Sequence, residues 1–212
     1  MDKNNFISSV FKWFGIGLFI TFLVGYLVTL NVSMLTFLFS SNLPFIVIIV
    51  LQIGIAIWLS VRIHKMSTSM AKGLYIVYTA LTGLTFSTIF LVYELSSIIW
   101  IFLATAIVFF IFAFIGKRMN VDLRKMGIYL MVLLFSVIIL EVINIFLMNQ
   151  TLNMVSCILA LGVFVAYVAY DIRKLDYYGN DENMAVIGAF NLYLDFINIF
   201  LRLLELFGKR ND

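Results

Sequence analysis

The last apolar segment of the chain carries polar side chains at helical spacing. Counting from Asn191, they recur at offsets of 4, 7, 11 and 14 residues. At about 100° per residue, they share an arc of about 80° on one helix face. The five residues are Asn191, Asp195, Asn198, Arg202 and Glu205. Carboxyl groups in such a stripe can hold a proton, pair with a base or bind a cation, and their surroundings decide which.

The composition places this stripe in a lipid bilayer. The chain has 212 residues, of which 64% are hydrophobic and 12% charged, and its mean hydropathy is +1.11. In a soluble domain about a quarter of the residues are charged, so a soluble enzyme is excluded. At about 20 apolar residues per spanning helix, the chain has room for about seven. Continuous runs of Leu, Ile and Phe favour helices over a membrane β-barrel.

These runs predict an all-α integral membrane protein, a single domain over residues 1–212 with seven transmembrane helices. The predicted spans are 13–32, 43–61, 73–93, 97–116, 127–148, 153–172 and 184–207. No soluble domain or internal repeat interrupts them. The activity is therefore expected to reside in the spanning helices.

The distribution of Lys and Arg predicts the orientation. Eleven of the 14 basic residues lie at the N-terminus or just after the second, fourth and sixth spans, and the opposite loops carry none. The positive-inside rule then places the N-terminus in the cytoplasm. The seventh span ends outside, where Lys209 and Arg210 conflict with the rule, so a re-entrant last segment is an alternative. Because the basic residues form no contiguous soluble patch, no nucleic-acid partner is expected.

The bilayer disfavours charge, so each ionisable side chain inside a span indicates a structural or functional role. At about 1.5 Å per residue, Asp195 lies about 16 Å into the seventh span, near the bilayer centre, which favours a function over a scaffolding role. Arg202 and Glu205 are three residues apart near the end of that span. Arg202 either pairs with Asp195 or Glu205 and so locks the bundle, or these residues contribute to a site.

Two acids on other spans are further candidates. Asp171 ends the sixth span and either balances Arg173 and Lys174 or belongs to a site. Glu141 lies in the middle of the fifth span on the same face as Asn144, and the sequence assigns it no partner. With one His and one Cys in the chain, a resident zinc centre is not expected, and no cofactor is predicted.

Two segments carry a more specific resemblance. Residues 169–174 read Ala-Tyr-Asp-Ile-Arg-Lys, and residues 191–200 read Asn-Leu-Tyr-Leu-Asp-Phe-Ile-Asn-Ile-Phe. Both closely resemble the transmembrane Bax-inhibitor-motif family, in particular its short bacterial members. Supporting matches lie within residues 65–84 and 121–127. With the length and the number of spans, the resemblance covers essentially the whole chain.

The resemblance implies a fold, an activity and a site. The implied fold is seven helices with the polar-striped last helix central. The implied activity is a pH-sensitive calcium leak in the plasma membrane, with calcium ions, protons and the lipid bilayer as partners. The family's pH sensor and ion pathway correspond to Asp171 and Asp195. The resemblance implies that these two residues also contact the metal ion as it passes. A gating arginine near the end of the second helix corresponds to Arg62, with Lys65 as the alternative.

The chemistry is coherent if the two carboxyls meet. Two acids a few Å apart in a dry site cannot both ionise, so they share one proton and join the sixth and seventh helices. Losing that proton leaves two negative charges that repel each other and attract a hard cation. A closed state at acid pH and a conducting state at higher pH are therefore predicted. Helix rise alone, however, places the two acids about 10 Å apart along the membrane normal.

Other functions are weighed against this hypothesis. Intramembrane aspartyl proteases also pair a Tyr-Asp with an Asp on the next helix. They need glycines near the second acid and a Pro-Ala-Leu element, whereas residues 192–194 are Leu-Tyr-Leu and the only proline is Pro44. No enzyme activity is therefore expected. The principal alternative is a non-conducting regulator that binds other membrane proteins, followed by a proton-coupled transporter. A receptor is disfavoured by the short loops.

Overall fold

The structure, a computed structural model, describes residues 1–179 and 181–211. The α-helices are α1 (Lys3–Thr29), α2 (Val32–Phe39), α3 (Leu43–Arg62), α4 (Thr68–Val92), α5 (Leu95–Arg118), α6 (Leu123–Leu147), α7 (Gln150–Lys174) and α8 (Glu182–Phe207). Short 3-10 turns follow α3 and α7, at Ile63–Lys65 and Leu175–Tyr177. Within the described residues, seven helices, all but α2, are long and apolar enough to cross a membrane. The predicted all-α membrane fold with seven spans is confirmed.

Two boundaries at the start of the chain differ from the prediction. The first helix begins at Lys3, ten residues before the predicted start, because the side chain of Asp2 accepts a hydrogen bond from the Asn5 backbone N at 2.7 Å and caps it. The predicted loop at 33–42 contains the short helix α2. The side chain of Asn31 caps that helix by accepting from Met34 N at 3.0 Å.

The helices pack as two compact units that share α8. The first unit comprises Met1–Glu94, Gly179–Tyr193 and Arg210–Asp212, and the second comprises Leu95–Tyr178 and Leu194–Lys209. In the first unit, α4 packs against both α1 and α3. In the second unit, α7 packs against both α5 and α6.

The last helix is the most buried of the seven spans. In its most apolar stretch 78% of the residues are buried, against 39% or less in the other spans. This burial agrees with the central position predicted for the polar-striped helix. In the first unit, a hydroxyl contact fixes the first half of α8: Thr21 Oγ1 lies 2.6 Å from Tyr193 Oη and donates to Thr79 O at 2.9 Å.

Contacts within the first unit join the start of α8 and Asn211 to α4 and its flanking residues. At the start of α8, Glu182 pairs with Lys72 at 2.8 Å, and Asn183 Nδ2 donates to Met66 O at 2.9 Å. The Asn211 backbone N donates to Val92 O at 2.9 Å. α8 is one continuous helix from Glu182 to Phe207, and the side of the membrane on which it ends stays a prediction.

Candidate functional site

Two buried carboxyl groups meet between α7 and α8. Asp171 lies one turn before the end of α7, and Asp195 lies in the middle of α8. Only 7% of Asp171 and 4% of Asp195 is exposed. The two carboxyl groups interact with each other. The second unit therefore contains a contact between Asp171 and Asp195 that helix rise along the sequence did not predict. These two residues are called the acid pair below.

Two carboxylates at this distance and burial cannot both carry a charge. Ionising both would leave two negative charges in contact, away from water. One shared proton converts the repulsion into a hydrogen bond, and the pair then titrates as a unit. Among the described residues, Asp195 Oδ2 has no hydrogen-bond partner although it is buried. That oxygen is available to a proton, a water molecule or a cation.

A lysine and a tyrosine of α7 surround the acid pair. Lys174 Nζ lies 4.0 Å from Asp171 Oδ1 and 5.4 Å from the centre of the Tyr170 ring. Because a nearby cation favours the ionised form of a carboxyl, Lys174 favours the charge on Asp171.

Close helix contacts hold α7 in position beside the acid pair. Gly116 of α5 lies against the backbone of Ala169, so that a Cβ built on this glycine is 2.6 Å from Ala169 Cα. A Cβ built on Gly127 of α6 is 2.7 Å from the hydroxyl of Tyr170. A larger residue at position 116 would meet backbone that cannot move without shifting α7, whereas one at position 127 would meet only the end of the Tyr170 side chain. Both contacted residues, Ala169 and Tyr170, directly precede Asp171 on α7.

The remaining residues of the polar stripe divide into two groups. Asn191 and Asn198 are half-buried, and Asn198 Nδ2 donates to Leu194 O of its own helix at 2.8 Å. Arg202 and Glu205, further along α8, form an ion pair of 3.3 Å. The predicted alternative of mutual pairing between these last two residues is therefore seen in the structure.

Arg202 also supplies the partner that the sequence did not assign to Glu141. The Arg202 Nη2 to Glu141 Oε1 distance is 2.6 Å, and Asn153 Nδ2 of α7 donates to Glu205 Oε1 at 2.7 Å. These four residues connect α6, α7 and α8 and are called the Arg202 cluster below. One guanidinium faces two carboxylates, so each acid of the cluster has a positively charged partner.

Sequence reasoning missed Asn153, whereas the predicted balance between Asp171 and Lys174 is present in the structure at 4.0 Å. Asn153 is a polar residue in the apolar start of α7, and an amide at membrane depth is a signal for an interhelical hydrogen bond. Lys174 lies three residues after Asp171, a spacing that brings side chains together on a helix. Both signals are present in the sequence.

Arg62 and Lys65, predicted as gating bases, are exposed at the end of α3 and in the turn that follows it. Both belong to the first unit, and their gating role stays a prediction. Among residues 1–179 and 181–211, no group of three or more His, Cys, Asp or Glu side chains could hold a metal ion. The acid pair offers a passing cation two carboxyl groups.

The fold and this site define an α-helical integral membrane protein with a buried acid pair between its last two helices. The sequence model of the family described as "Inhibitor of apoptosis-promoting Bax1" matches residues 3–212. The chain therefore belongs to the Bax-inhibitor-motif family, as its motifs predicted.

Bacterial relatives match over nearly the full length. A Borreliella burgdorferi protein is 36% identical, covering 99% of this chain and 94% of the relative. The "Inner membrane protein YbhL" of Escherichia coli K12 is 33% identical, with 98% and 92% covered. A Rickettsia prowazekii protein is 34% identical, with 78% and 73% covered. These similarities agree with a membrane protein whose whole length belongs to the family.

Proposed function

We propose that this protein is a pH-sensitive leak channel for calcium ions, in which the acid pair is the pH sensor and part of the ion pathway. The observation that carries the proposal is the burial of two interacting carboxyls, those of Asp171 and Asp195, between two spanning helices. Two spanning helices joined by one exchangeable proton form an element that pH can switch. Family membership supports the assignment.

The direction of gating follows from the shared proton. At acid pH the proton holds α7 against α8, and the path is closed. As pH rises the pair loses its proton, the two carboxylates repel each other, and the helices separate at this place. Lys174 stabilises the charge on Asp171 but is 4.0 Å away, so it does not cancel the second charge on Asp195. Conduction is therefore expected to increase with pH.

The preference for calcium follows from the same groups. Ca²⁺ binds carboxylate and carbonyl oxygens in flexible arrangements. The two carboxylates, one of which has a buried oxygen without a hydrogen-bond partner, attract such an ion. Two carboxylates alone bind it weakly, so the ion is released again. A weak, transient site of this kind suits passage of an ion better than storage.

Calcium flux into liposomes tests the proposal directly. The purified full chain is reconstituted at several pH values between about 5.5 and 8, with a calcium indicator inside. We expect wild-type flux to rise with pH and Asp195→Asn to abolish that response, because asparagine mimics the protonated acid at every pH. Asp176→Asn is the matched control, since Asp176 pairs with Arg173 at 2.8 Å and is not part of the acid pair.

The same experiment separates the proposal from a non-conducting regulator of other membrane proteins. A wild-type protein that folds in the liposomes and passes no calcium at any pH contradicts the channel. A rise in flux that Asp195→Asn leaves unchanged contradicts the sensor. Arg62→Gln tests the proposed gating base in the same assay, and we expect it to shift the pH at which flux begins.

We further propose that the chain resides in the bacterial cytoplasmic membrane with its N-terminus in the cytoplasm. The basis is the excess of Lys and Arg on one side of the spans. A fluorescent reporter fused to the N-terminus is expected to be active, and alkaline phosphatase fused after residue 211 is also expected to be active. The reverse result contradicts the orientation.

A further inference from the structure

Positive charge is concentrated where α5 ends and α6 begins. Lys117 and Arg118 are the last two residues of α5, and Arg124 and Lys125 are the second and third residues of α6. All four are exposed. The only acid in the segment 117–125 is Asp122, so its net charge is +3. These four residues are called the α5–α6 basic cluster.

The protein itself does not neutralise this cluster. Asp122 Oδ1 caps α6 by accepting from the backbone N of Arg124 and of Lys125 at 3.0 and 3.2 Å, and its other oxygen is 3.9 Å from Lys125 Nζ. Within the described part of the chain, the other three bases have no ion pair. At the neighbouring end of α7, by contrast, Arg173 and Lys174 each face an acid, at 2.8 and 4.0 Å.

One base of the cluster is turned toward the bilayer. Long basic side chains at helix ends normally extend toward water. Arg118 instead packs on the ring of Phe114, with its guanidinium carbon 4.1 Å from the ring centre. Phe114 lies one turn deeper in the span and is 56% exposed. On α6, Tyr129 lies one turn beyond Lys125 and is 67% exposed. The guanidinium is thus held at the level where a span meets the headgroups.

We propose that the α5–α6 basic cluster binds the headgroup of an anionic phospholipid, with the acyl chains lying along the apolar faces of α5 and α6. A phosphate oxygen accepts hydrogen bonds from Arg118 and Arg124, whose planar guanidinium groups suit two-point binding of phosphate. Phe114 and Tyr129 supply the apolar contact below. The lipid phosphate is the anion that the bilayer offers at this depth, and this site is independent of the acid pair and of calcium flux.

Lipid binding by the purified full chain tests the site. The protein in a neutral detergent is titrated with phosphatidylglycerol or phosphatidylcholine labelled on the acyl chain. We expect saturable binding that strongly favours phosphatidylglycerol. Arg118→Gln with Arg124→Gln is expected to weaken it about ten-fold or more, since each basic residue near a membrane surface contributes about a five-fold factor. The control is Lys12→Gln with Arg210→Gln, which removes two exposed charges elsewhere and is expected to leave binding unchanged.

Further arms of the titration distinguish the site from a general charge effect. Arg118→Lys keeps the charge but not the planar fork, and we expect an intermediate loss. Equal weakening by the control variant, or equal binding of both lipids by the wild type, overturns the proposal. Displacement of the lipid by inorganic phosphate at similar concentration also overturns it, because the site would then bind a free anion. Thermal unfolding of each variant verifies that it is folded.

Discussion

In the second unit, α8 contacts its neighbours α6 and α7 through polar side chains at two places. At one, the acid pair brings two carboxyls of α7 and α8 together with 4–7% exposure. At the other, the Arg202 cluster joins a guanidinium of α8 to carboxylates of α6 and α8 whose side chains are 32% and 34% exposed. The first contact joins two acids, whereas the second gives each acid a base. We therefore expect pH to act on the first contact while the second keeps α8 attached to its neighbours.

The largest effect is expected from breaking the ion pair between Arg202 and Glu141. Arg202→Met leaves Glu141 half-buried without its 2.6 Å partner. Removing one member of such a pair is strongly destabilising because the other charge stays desolvated. We expect a loss of about 3 kcal/mol in the free energy of unfolding, reduced from the fully buried case by partial exposure. Heat or SDS unfolding in detergent micelles measures it.

A double variant isolates the ion pair from the packing of the arginine. When Glu141→Gln accompanies Arg202→Met, the half-buried unpaired charge at position 141 is removed, and the exposed Glu205 keeps its hydrogen bond from Asn153. We therefore expect most of the lost stability to return. No recovery in the double variant would show that Arg202 acts through packing alone. The pH response of unfolding should be the same in both variants as in the wild type.

The next effect concerns the contact that depends on a proton. In the unfolded chain both carboxyls are ionised above about pH 5, whereas the folded acid pair retains one proton. The folded state thus binds more protons than the unfolded state, so stability falls as pH rises. We expect a loss of about 2 kcal/mol between about pH 5.5 and 8, comparable with a hydrogen bond to a charged group. Asp195→Asn should make unfolding insensitive to pH over this range, and Asp176→Asn should not.

Much of the fold could be predicted because hydropathy alone marks a spanning helix. Seven apolar runs predicted seven helices, and all seven are present. What hydropathy did not indicate is local capping. The extension of α1 to Lys3 depends on the hydrogen bond from Asn5 N to Asp2, and α2 is a helix of eight residues, too short to span. Such elements depend on single side-chain contacts.

Only part of the site could be predicted from the sequence. The spacing of the stripe predicted one polar helix face. Of its five residues Asp195 is buried, three are half-buried and Glu205 is exposed. The contact with Asp171 followed only from the family resemblance. Counting residues gives the height of an atom on its own helix axis but carries no information on how two axes cross. The pairing of Arg202 with Glu141 depends on the same crossing, which is why no partner for Glu141 was predicted.

A smaller effect is expected from the packing of α5 against α7 next to the acid pair. Gly116→Ala forces α5 away from the backbone of Ala169, two residues before Asp171, and overpacking of this kind is destabilising. We expect a loss of about 1 kcal/mol together with a shifted pH response of unfolding, because the height of Asp171 changes. Gly162→Ala is the matched control on α7, since a Cβ there meets nothing within 4 Å. An unchanged pH response in Gly116→Ala would show that the acid pair does not depend on this helix contact.

The smallest effect tests the exposed edge of the Arg202 cluster. Glu205→Gln removes the charge that pairs with Arg202 at 3.3 Å but keeps a carbonyl oxygen that accepts from Asn153 Nδ2. Because Arg202 retains its shorter contact with Glu141 and Glu205 is exposed, we expect a loss of about 0.5 kcal/mol, typical of exposed ion pairs. Raising the salt concentration should reduce the difference from the wild type further. A loss as large as that of Arg202→Met would mean that Glu205, and not Glu141, is the partner that balances the arginine. The contact that contrasts with the acid pair would then lie one helix turn further along α8.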